Sequence, residues 1–366
     1  VIFLHRSQKK LKEQKKRIEY LSYHDSLTTG VYNRLFLEQE LERLDIPDNL
    51  PISVIVGDVN GLKMTNDIFG HDAGDLLIKK AADAIKNACS SEDIIARTGG
   101  DEFIILLPKK GHREAEEIAG RVNHIFSEES ILTIKASISM GWYTKCHESQ
   151  SIHEVINIAE EKMYEAKVLD SEMAKSSTIK SIISTFYSSN PEEERHARSV
   201  SHLAEMAGKA LQLSDVDVRK LIEAGYLHDI GKIVLSDELI KRYDDYANEQ
   251  IRIIKKHVIA GYRILNSFDE TLDLAGIVLA HHEYWDGSGY PRGLKGQEIP
   301  FLARIITAAE YYDEILNKPD INGNIELAVS MLKAQSGIKL DPQVVNVLCS
   351  IIKNENSNLA AAACQT

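Results

Sequence analysis

Two patterns of hydrophobic residues divide the chain. Between residues 24 and 170, short continuous apolar runs alternate with segments whose apolar positions recur with the period of a helix. Such runs predict buried strands, and their alternation with helices is typical of an α/β domain. We predict strands at Pro51–Asp58, Ile94–Thr98, Phe103–Leu107 and Ile134–Gly141. From Glu192 the helical period continues almost without interruption, which predicts an all-α domain.

The domain boundaries follow from these patterns. We place an N-terminal helix at residues 1–22, the α/β domain at 23–170, a connecting helix at 171–190, the helical domain at 191–355 and a tail at 356–366. Apolar residues with helical spacing between Ile179 and Phe186 favour a helix over a flexible linker for the connection. Within the helical domain, one continuous helix is predicted from Glu249 to Leu265.

The N-terminal helix carries a short heptad seam formed by Leu4, Leu11, Ile18 and Leu21. Apolar residues at this spacing favour a two-stranded coiled coil, which would pair two chains as a homodimer. Polar residues interrupt the seam, so a solvated linker helix is an equal alternative.

Composition and charge disfavour several functions. The formal net charge is −12, which argues against a nucleic-acid polymer as a partner. The four cysteines show no CxxC spacing, which indicates a reducing cytoplasm rather than a disulfide framework. The apolar opening Val1–Leu4 is followed by a basic segment. Two interpretations stay open for it: an ordinary helix, or the end of a membrane span that anchors cytoplasmic domains in the inner membrane of a bacterium.

The helical half concentrates imidazoles. Of the six histidines after residue 178, five form one candidate set: His196, His228, His257, His281 and His282, with Asp229 beside His228. Imidazoles and carboxylates without thiolate suit divalent iron, manganese, zinc or cobalt. Any one of these histidines alone would be interpreted as an ordinary core or surface residue, but five together favour a metal site. Adjacent residues on a helix point about 100° apart, so the last two histidines can serve one centre only at a helix end.

Acidic residues stand at the ends of predicted strands in the α/β half. Asp58 ends one strand, and Asp101 lies in a glycine-containing hairpin. Hard oxygen ligands at a sheet edge are suited to Mg²⁺, although a single acid at a strand end is more often a turn residue. Asn66 and Asp75 offer an amide and a carboxylate that can recognise guanine, and Lys63 can contact phosphate.

The helical half resembles the HD-GYP family, on the complete motif His-His-Glu-x-x-Asp-Gly-x-Gly-Tyr-Pro at residues 281–291 and on His228-Asp229 with Gly231-Lys232. That family is an all-helical, metal-dependent branch of the HD phosphohydrolases that opens cyclic di-GMP. The resemblance implies two or three Fe²⁺, Mn²⁺ or similar ions, with ligands at Glu192, His196, His228, Asp229, His257, His281, His282 and Glu310. Glu192 would serve a third metal, and Glu310 stands where the family usually has aspartate.

The resemblance also implies roles in hydrolysis. A metal pair would activate water for attack on a phosphodiester. Asp229 would bridge the metals, and Lys232 would hold the phosphate or protonate the leaving 3′-oxygen. The turn with Gly289, Tyr290 and Pro291 would surround the nucleotide, with a purely structural role for Tyr290 as an equal alternative. A basic segment that the family often has is replaced here by Asn-Lys-Pro-Asp at residues 317–320, which reduces basic substrate contacts.

The α/β half resembles the GGDEF domain of diguanylate cyclases, a palm-like nucleotidyl-cyclase fold, on the intact motif Gly99-Gly100-Asp101-Glu102-Phe103. The resemblance implies that Asp58 and Asp101 hold Mg²⁺ and that Asn66 and Asp75 recognise the guanine of GTP. Lys63 and Lys167 would contact phosphate, and Gly99, Gly100 and Glu102 would complete the catalytic hairpin. Each 3′-hydroxyl must attack the α-phosphate held by the other protomer in line, so synthesis requires a homodimer.

Several departures from the GGDEF pattern leave alternatives open. Thr28-Thr29 lengthens one motif by a residue, and Ser171 stands where an arginine is expected. The arginine of the family's product-inhibition site is missing from Ser90–Asp93, so we predict no feedback inhibition there. Three hypotheses follow: a bifunctional enzyme, a hydrolase regulated by a GTP-binding GGDEF module, and a helical half that binds metal or ligand without catalysis.

Overall fold

The computed structural model describes residues 20–131, 134–241 and 248–363. The heptad helix predicted at residues 1–22 lies outside the described residues, except for its last three positions. The chain forms two compact units, Val1–Thr178 and Ile179–Thr366. The first is an α/β unit and the second is helical, so the predicted fold class is confirmed for both halves.

A five-stranded sheet forms the centre of the first unit. The strands of this unit are β1 (Tyr32–Asn33), β2 (Ile52–Val59), β3 (Ile94–Arg97), β4 (Glu102–Pro108), β5 (Ser130–Ile131), β6 (Ile134–Lys135) and β7 (Ile138–Lys145). The sheet has the order β1-β3-β4-β2-β7, and β5 and β6 form a separate hairpin. Within the sheet, β1 and β3 are parallel and the other neighbours are antiparallel.

Helices cover both faces of the sheet. They are α1 (Arg34–Leu44), α2 (Leu62–Phe69), α3 (His71–Ala88), α4 (His112–Ser127) and α5 (Ile152–Ser189). Successive side chains of a strand point to opposite faces. Ile55 and Ile105 therefore pack in the core with α3 and α4, whereas Val54 and Ile104 pack with α1 and the start of α5. Both faces are buried, which explains the continuous apolar runs of β2 and β4.

In its described residues, the second unit consists of packed helices and three 3₁₀ turns, two of which are Asp269–Thr271 and Gly296–Glu298. The helices and the third turn are, in chain order, α6 (Pro191–Ala210), α7 (Asp215–Leu227), the 3₁₀ turn Ile230–Val234, α8 (Asp237–Lys241), α9 (Asn248–Ile254), α10 (His257–Asn266), α11 (Leu272–Leu279), α12 (Phe301–Leu316), α13 (Ile325–Ala334) and α14 (Pro342–Ala363). Helix α6 packs against α7 and α12, while α10 packs against α11 and the 3₁₀ turn Ile230–Val234. A Cβ atom on Gly225 would lie 2.8 Å from the Cα of Ser201, so this glycine allows α6 and α7 to approach closely.

Three predicted helices differ in extent from the structure. The helix predicted from Glu249 to Leu265 is broken between α9 and α10, where the carbonyl oxygen of Ile254 accepts a hydrogen bond from the His257 ring at 2.7 Å. The predicted connecting helix is continuous with the preceding helix of the α/β unit, because α5 runs unbroken to Ser189. Helix α14 extends into the predicted tail and ends at Ala363. Across the described residues, every helix is too short or too polar to span a bilayer.

Candidate metal and nucleotide sites

Five chain segments bring the candidate metal ligands together in the helical unit. His228 and Asp229 follow the end of α7, and His257 opens α10. The paired residues His281 and His282 follow the end of α11, as their adjacency required. Helices α6 and α12 carry the last two residues, His196 and Glu310.

The ligand atoms form two groups that share Asp229. In each group, the candidate atoms lie within 4.8 Å of one another. The first group is Asp229, His257, His281 and His282, and the second is His196, His228, Asp229 and Glu310. A carboxylate common to two such groups is placed to bridge two cations.

Backbone contacts fix the tautomers of three histidines. The Nδ1 atoms of His228, His257 and His281 lie 2.8, 2.7 and 2.5 Å from the carbonyl oxygen three residues earlier in each case. A carbonyl only accepts, so each Nδ1 carries the proton and each Nε2 presents a lone pair. A hydrogen bond from the far ring nitrogen to a backbone carbonyl is typical of metal-bound imidazoles.

The lone pairs converge without a donor between them. The Nε2 atoms of His257 and His281 lie 3.3 Å apart, and both are acceptors in this tautomer. Among the described residues, Nε2 of His228 and Oδ1 of Asp229 are buried and have no hydrogen-bond partner. Buried polar atoms without partners are costly, so the donor set fits divalent cations.

The charge states suit cation binding. Burial alone would raise the pKa of Asp229, but the positive charge nearby, that of the Lys232 ammonium above all, outweighs it and holds this pKa well below its usual range. Burial and the neighbouring rings lower the pKa of His281 well below its ordinary value, so this ring stays neutral. Burial and the carboxylates nearby raise the pKa of Glu310 well above the usual range. Glu310 would therefore release a proton when a cation binds.

His196 is oriented by Asp313, a residue that was not predicted as a ligand, and Ser199 in turn binds Asp313. The Nδ1 atom of His196 lies 2.6 Å from Oδ2 of the buried Asp313, and the Ser199 hydroxyl donates to the same carboxylate. Asp313 is one turn beyond Glu310 on α12, so this helix supplies both a candidate ligand and the residue that orients another.

The acidic residue beside the cluster is Glu193, not Glu192. Glu192 is exposed on α6, whereas Glu193 is buried and its Oε2 lies 2.9 Å from Nζ of Lys232. The same ammonium lies 2.7 Å from Oδ2 of Asp229. Lys232 is thus held between two carboxylates at the edge of the second group. Glu192 belongs to neither ligand group, and its role as a ligand of a third metal stays a prediction.

The 3₁₀ turn after Asp229 makes a close contact with α10. A Cβ atom on Gly231 would lie 1.9 Å from the carbonyl oxygen of His257 and 2.4 Å from the nitrogen of Gly261. Both obstacles are backbone atoms that cannot rotate away. Gly231 therefore sets the distance between the segment with Asp229 and the helix with His257.

The loop after His282 is held in place by backbone contacts and by hydrogen bonds to one buried acid. Oε1 and Oε2 of Glu283 accept hydrogen bonds from the backbone nitrogens of Arg292 and Leu294, at 2.7 and 2.9 Å. A Cβ on Gly289 would lie 2.2 Å from the nitrogen of Tyr284, so only glycine fits there. The loop ends at Tyr290 and Pro291.

The ring of Tyr290 lies against the metal cluster. It packs on the imidazole of His282 with a centroid distance of 4.9 Å. The backbone N–H of Tyr290 donates to the carbonyl oxygen of His282 at 3.0 Å, so this N–H is already satisfied within the loop. The side chain, rather than this N–H, is therefore available to a ligand.

In the α/β unit, Asp58 lies next to the hairpin that carries Asp101. Asp58 pairs in register with Glu102, and the nitrogen of Val59 donates to the carbonyl oxygen of Asp101 at 2.9 Å. Burial raises the pKa of Asp58, and the Asp101 carboxylate adds to this shift while Lys167 opposes it. Nζ of Lys167 lies 2.8 Å from Oδ1 of Asp58. The structure thus brings together three predicted site residues.

The predicted guanine-binding residues lie on successive helices. Asn66 is on α2, and the exposed Asp75 begins the second turn of α3. A Cβ on Gly74 would lie 1.9 Å from Oδ1 of Asn66, so α3 approaches the Asn66 amide through a glycine next to Asp75. Lys63, Gly100 and Glu102 are exposed, and Gly99 is half-buried.

Where the family has its product-inhibition site, the carboxylate of Asp93 is bound by residues of the same domain. Asp93 is buried, accepts hydrogen bonds from the nitrogen and hydroxyl of Ser90, and lies 2.5 Å from Nζ of Lys110. With its carboxylate engaged by Lys110, Asp93 is not presented to a ligand.

Fold and sites together define a two-domain protein with a glycine-containing acidic hairpin on a mixed sheet and a histidine–carboxylate cluster in a helical domain. Residues 22–172 match the family model of the diguanylate cyclase GGDEF domain, and residues 180–344 match that of the HD domain. The chain therefore contains a GGDEF domain followed by an HD domain, as its motifs predicted. HD domains of this kind depend on divalent metals.

Curated relatives match parts of the chain. It is 35% identical over 153 residues to the cyclic di-GMP phosphodiesterase response regulator RpfG of Xanthomonas campestris pv. campestris, covering 41% of this chain and 40% of the relative. It is 35% identical over 166 residues to a cyclic di-GMP phosphodiesterase of Thermotoga maritima, covering 44% and 45%. It is 34% identical over 155 residues to the bifunctional diguanylate cyclase/cyclic di-GMP phosphodiesterase MucR of Pseudomonas aeruginosa, covering 40% and 22%. The chain spans less than half the length of each.

Proposed function

We propose that the helical domain is a divalent-metal-dependent phosphodiesterase that opens cyclic di-GMP. The observation that carries this proposal is the pair of ligand groups around Asp229, in which Nε2 of His228 and Oδ1 of Asp229 are buried without a hydrogen-bond donor. Two relatives named as cyclic di-GMP phosphodiesterases support the choice of substrate.

The two groups would each hold one ion of the Fe²⁺ or Mn²⁺ type, with Asp229 common to both. Divalent ions bound there would supply Lewis acidity, which activates water and neutralises phosphate charge. Glu310 takes the place of the usual aspartate, and its longer side chain already reaches the second group. We propose Glu193 rather than Glu192 as the additional carboxylate at the edge of the site.

Lys232 is the group best placed to serve the leaving oxygen. Its ammonium contacts Asp229 and Glu193, so its position is fixed and its protons point toward the cluster's acidic edge. An ammonium held there can donate a proton to the departing 3′-oxygen or neutralise charge on the phosphate. Tyr290 and the turn at Gly289 and Pro291 would form the wall against which the nucleotide lies.

We further propose that the GGDEF domain makes cyclic di-GMP from two GTP molecules in a homodimer. Asp58 and Asp101 would hold Mg²⁺, with Glu102 beside them at the hairpin end. Asn66 and Asp75 would bind guanine, and Lys63, Lys167, Gly99 and Gly100 would contact the phosphates. The adjacency of Asp58 to the intact hairpin supports this assignment.

A second candidate for this domain is a GTP-binding module that regulates the hydrolase. It is favoured by the ion pair between Lys167 and Asp58, since a lysine expected to contact phosphate here neutralises a magnesium carboxylate. Ser171, where the family has arginine, points the same way.

One experiment separates these functions. The purified chain is incubated with GTP and Mg²⁺, and separately with cyclic di-GMP and Mn²⁺, and products are followed by chromatography. Asp101→Ala should abolish only synthesis, and His228→Ala only hydrolysis. His202→Ala is the matched control, because this histidine is 64% exposed and outside both groups. GTP binding without turnover would support the regulatory module, and hydrolysis that survives His228→Ala would contradict the phosphodiesterase proposal.

A further inference from the structure

One lysine beside the metal cluster has no role in the proposed chemistry. Lys255 lies in the break between α9 and α10, two residues before His257. Its Nζ atom lies 4.7 Å from the centre of the Tyr290 ring, the same ring that packs on His282. Lys255 is exposed, and no carboxylate in the described ranges 20–131, 134–241 and 248–363 forms an ion pair with it.

The break in the helix is what brings this ammonium to the ring. The Ile254 carbonyl accepts the Nδ1 proton of His257, so the backbone turns at Lys255 instead of continuing as helix. The contact that sets the tautomer of a candidate metal ligand therefore also positions Lys255. An ammonium over an aromatic face is attracted by the ring's quadrupole, which restrains a long flexible side chain.

The proposed substrate requires positive charge at two places. Cyclic di-GMP contains two phosphodiesters on opposite sides of one macrocycle, so a molecule with one of them at the metal cluster presents the other away from it. Lys232 is already held by Asp229 and Glu193, and acidic Asp320 ends the segment where the family often has basic residues. A second cation near the cluster would bind this second anionic group.

We propose that Lys255, restrained by Tyr290, binds the phosphodiester that is not cut, and so selects cyclic dinucleotides over simple phosphodiesters. This inference rests on the proposed phosphodiesterase function. It gives Tyr290 a defined task, since its ring connects the cluster at His282 with the ammonium that holds the far side of the ligand.

The test compares two substrates in the full chain with Mn²⁺. Cyclic di-GMP has a second phosphodiester, whereas bis(p-nitrophenyl) phosphate has only the one that is cut. Lys255→Ala should raise KM for cyclic di-GMP about tenfold with kcat within roughly twofold, the signature of lost uniform binding. The ratio of kcat/KM for cyclic di-GMP to that for bis(p-nitrophenyl) phosphate should fall about tenfold. Lys255→Arg should retain most of the ratio.

Lys256→Ala is the matched control. Lys256 is the neighbouring exposed lysine, and its side chain makes no capping bond to α10. A ratio unchanged in Lys255→Ala, or lowered equally in Lys256→Ala, would overturn this inference and leave the proposed hydrolysis standing. An unmodified chain that cleaves bis(p-nitrophenyl) phosphate but not cyclic di-GMP would overturn the proposed substrate and this inference together.

Discussion

Replacing Gly231 by alanine tests whether the close contact of the 3₁₀ turn with α10 sets the metal geometry. The added methyl group would lie 1.9 Å from the His257 carbonyl oxygen and 2.4 Å from the Gly261 nitrogen. These distances are far below any van der Waals contact, so the turn and the helix must separate. The separation moves Asp229 away from His257, whose ligand atoms belong to the same group.

The cost of this change follows from overpacking. Forcing a methyl group into a closely packed contact costs about 1–3 kcal/mol, and more where backbone must move. For a domain of 150–250 residues, about 1 kcal/mol lowers the melting temperature by roughly 2–4 °C. We expect Gly231→Ala to lower the melting transition of the helical unit by about 4–8 °C and Mn²⁺ affinity by at least about tenfold.

Calorimetric titration with Mn²⁺ and a thermal scan measure both effects. Gly276→Ala on α11 is the control, because a Cβ there meets no atom within 4 Å. It should retain Mn²⁺ affinity and gain about 0.4–1 kcal/mol from the reduced entropy of the unfolded chain. Wild-type Mn²⁺ affinity in Gly231→Ala would refute the idea that this contact fixes the ligand spacing.

Three further predictions concern other parts of the chain. Arg304→Met should lower the free energy of unfolding, measured by urea titration, by about 3 kcal/mol. The reason is that the buried Asp341, 2.8 Å from Arg304, loses its charge partner. A loss below about 1 kcal/mol would contradict this prediction. Burial, with the Asp93 charge, raises the pKa of the Cys89 thiol to about 12. Maleimide labelling near pH 8 should therefore favour the exposed Cys146, and the labelling rate of Cys89 should rise about tenfold per pH unit. Equal labelling rates of the two thiols at pH 8 would contradict this prediction. In a hydrolysis-deficient background, Asp93→Ala should leave cyclic di-GMP inhibition of GTP turnover unchanged, and tight cyclic di-GMP binding lost in this variant would contradict the absence of a feedback site.

Much of the architecture was accessible from hydrophobic periodicity. The strand at Pro51–Asp58 was recognisable because both of its faces are buried, which gives a continuous apolar run. The β3–β4 hairpin was recognisable from Gly99 and Gly100, and the structure confirms it. The position of the histidine pair at a helix end followed from helix geometry alone, and α11 does end at Leu279.

The sequence did not predict which side chains of a helix face inward or where a helix breaks. Glu192 and Glu193 are four and three residues before His196, and both spacings place a side chain on the same general face of a helix. Which glutamate turns inward depends on how α6 packs against Lys232, a contact between segments distant in sequence. The break before His257 likewise depends on a side-chain bond to the Ile254 carbonyl that no periodicity encodes.

The sequence also did not predict the residues that orient the candidate ligands and their loop. Asp313 and Glu283 are buried acids whose partners are a histidine on another helix and backbone nitrogens of a loop. The signal available in the sequence was weak: an acid on the apolar face of a predicted helix, and an acid inside a motif already attributed to the metals. Tertiary contacts decide such roles.

Anomalous diffraction from crystals of the Mn²⁺-loaded protein tests the central claim most directly. We expect two manganese peaks that share Asp229, one also bound by His257, His281 and His282, and the other by His196, His228 and Glu310. Absence of manganese from these residues, or a single ion that leaves the Asp229 carboxylate unbound, would contradict it.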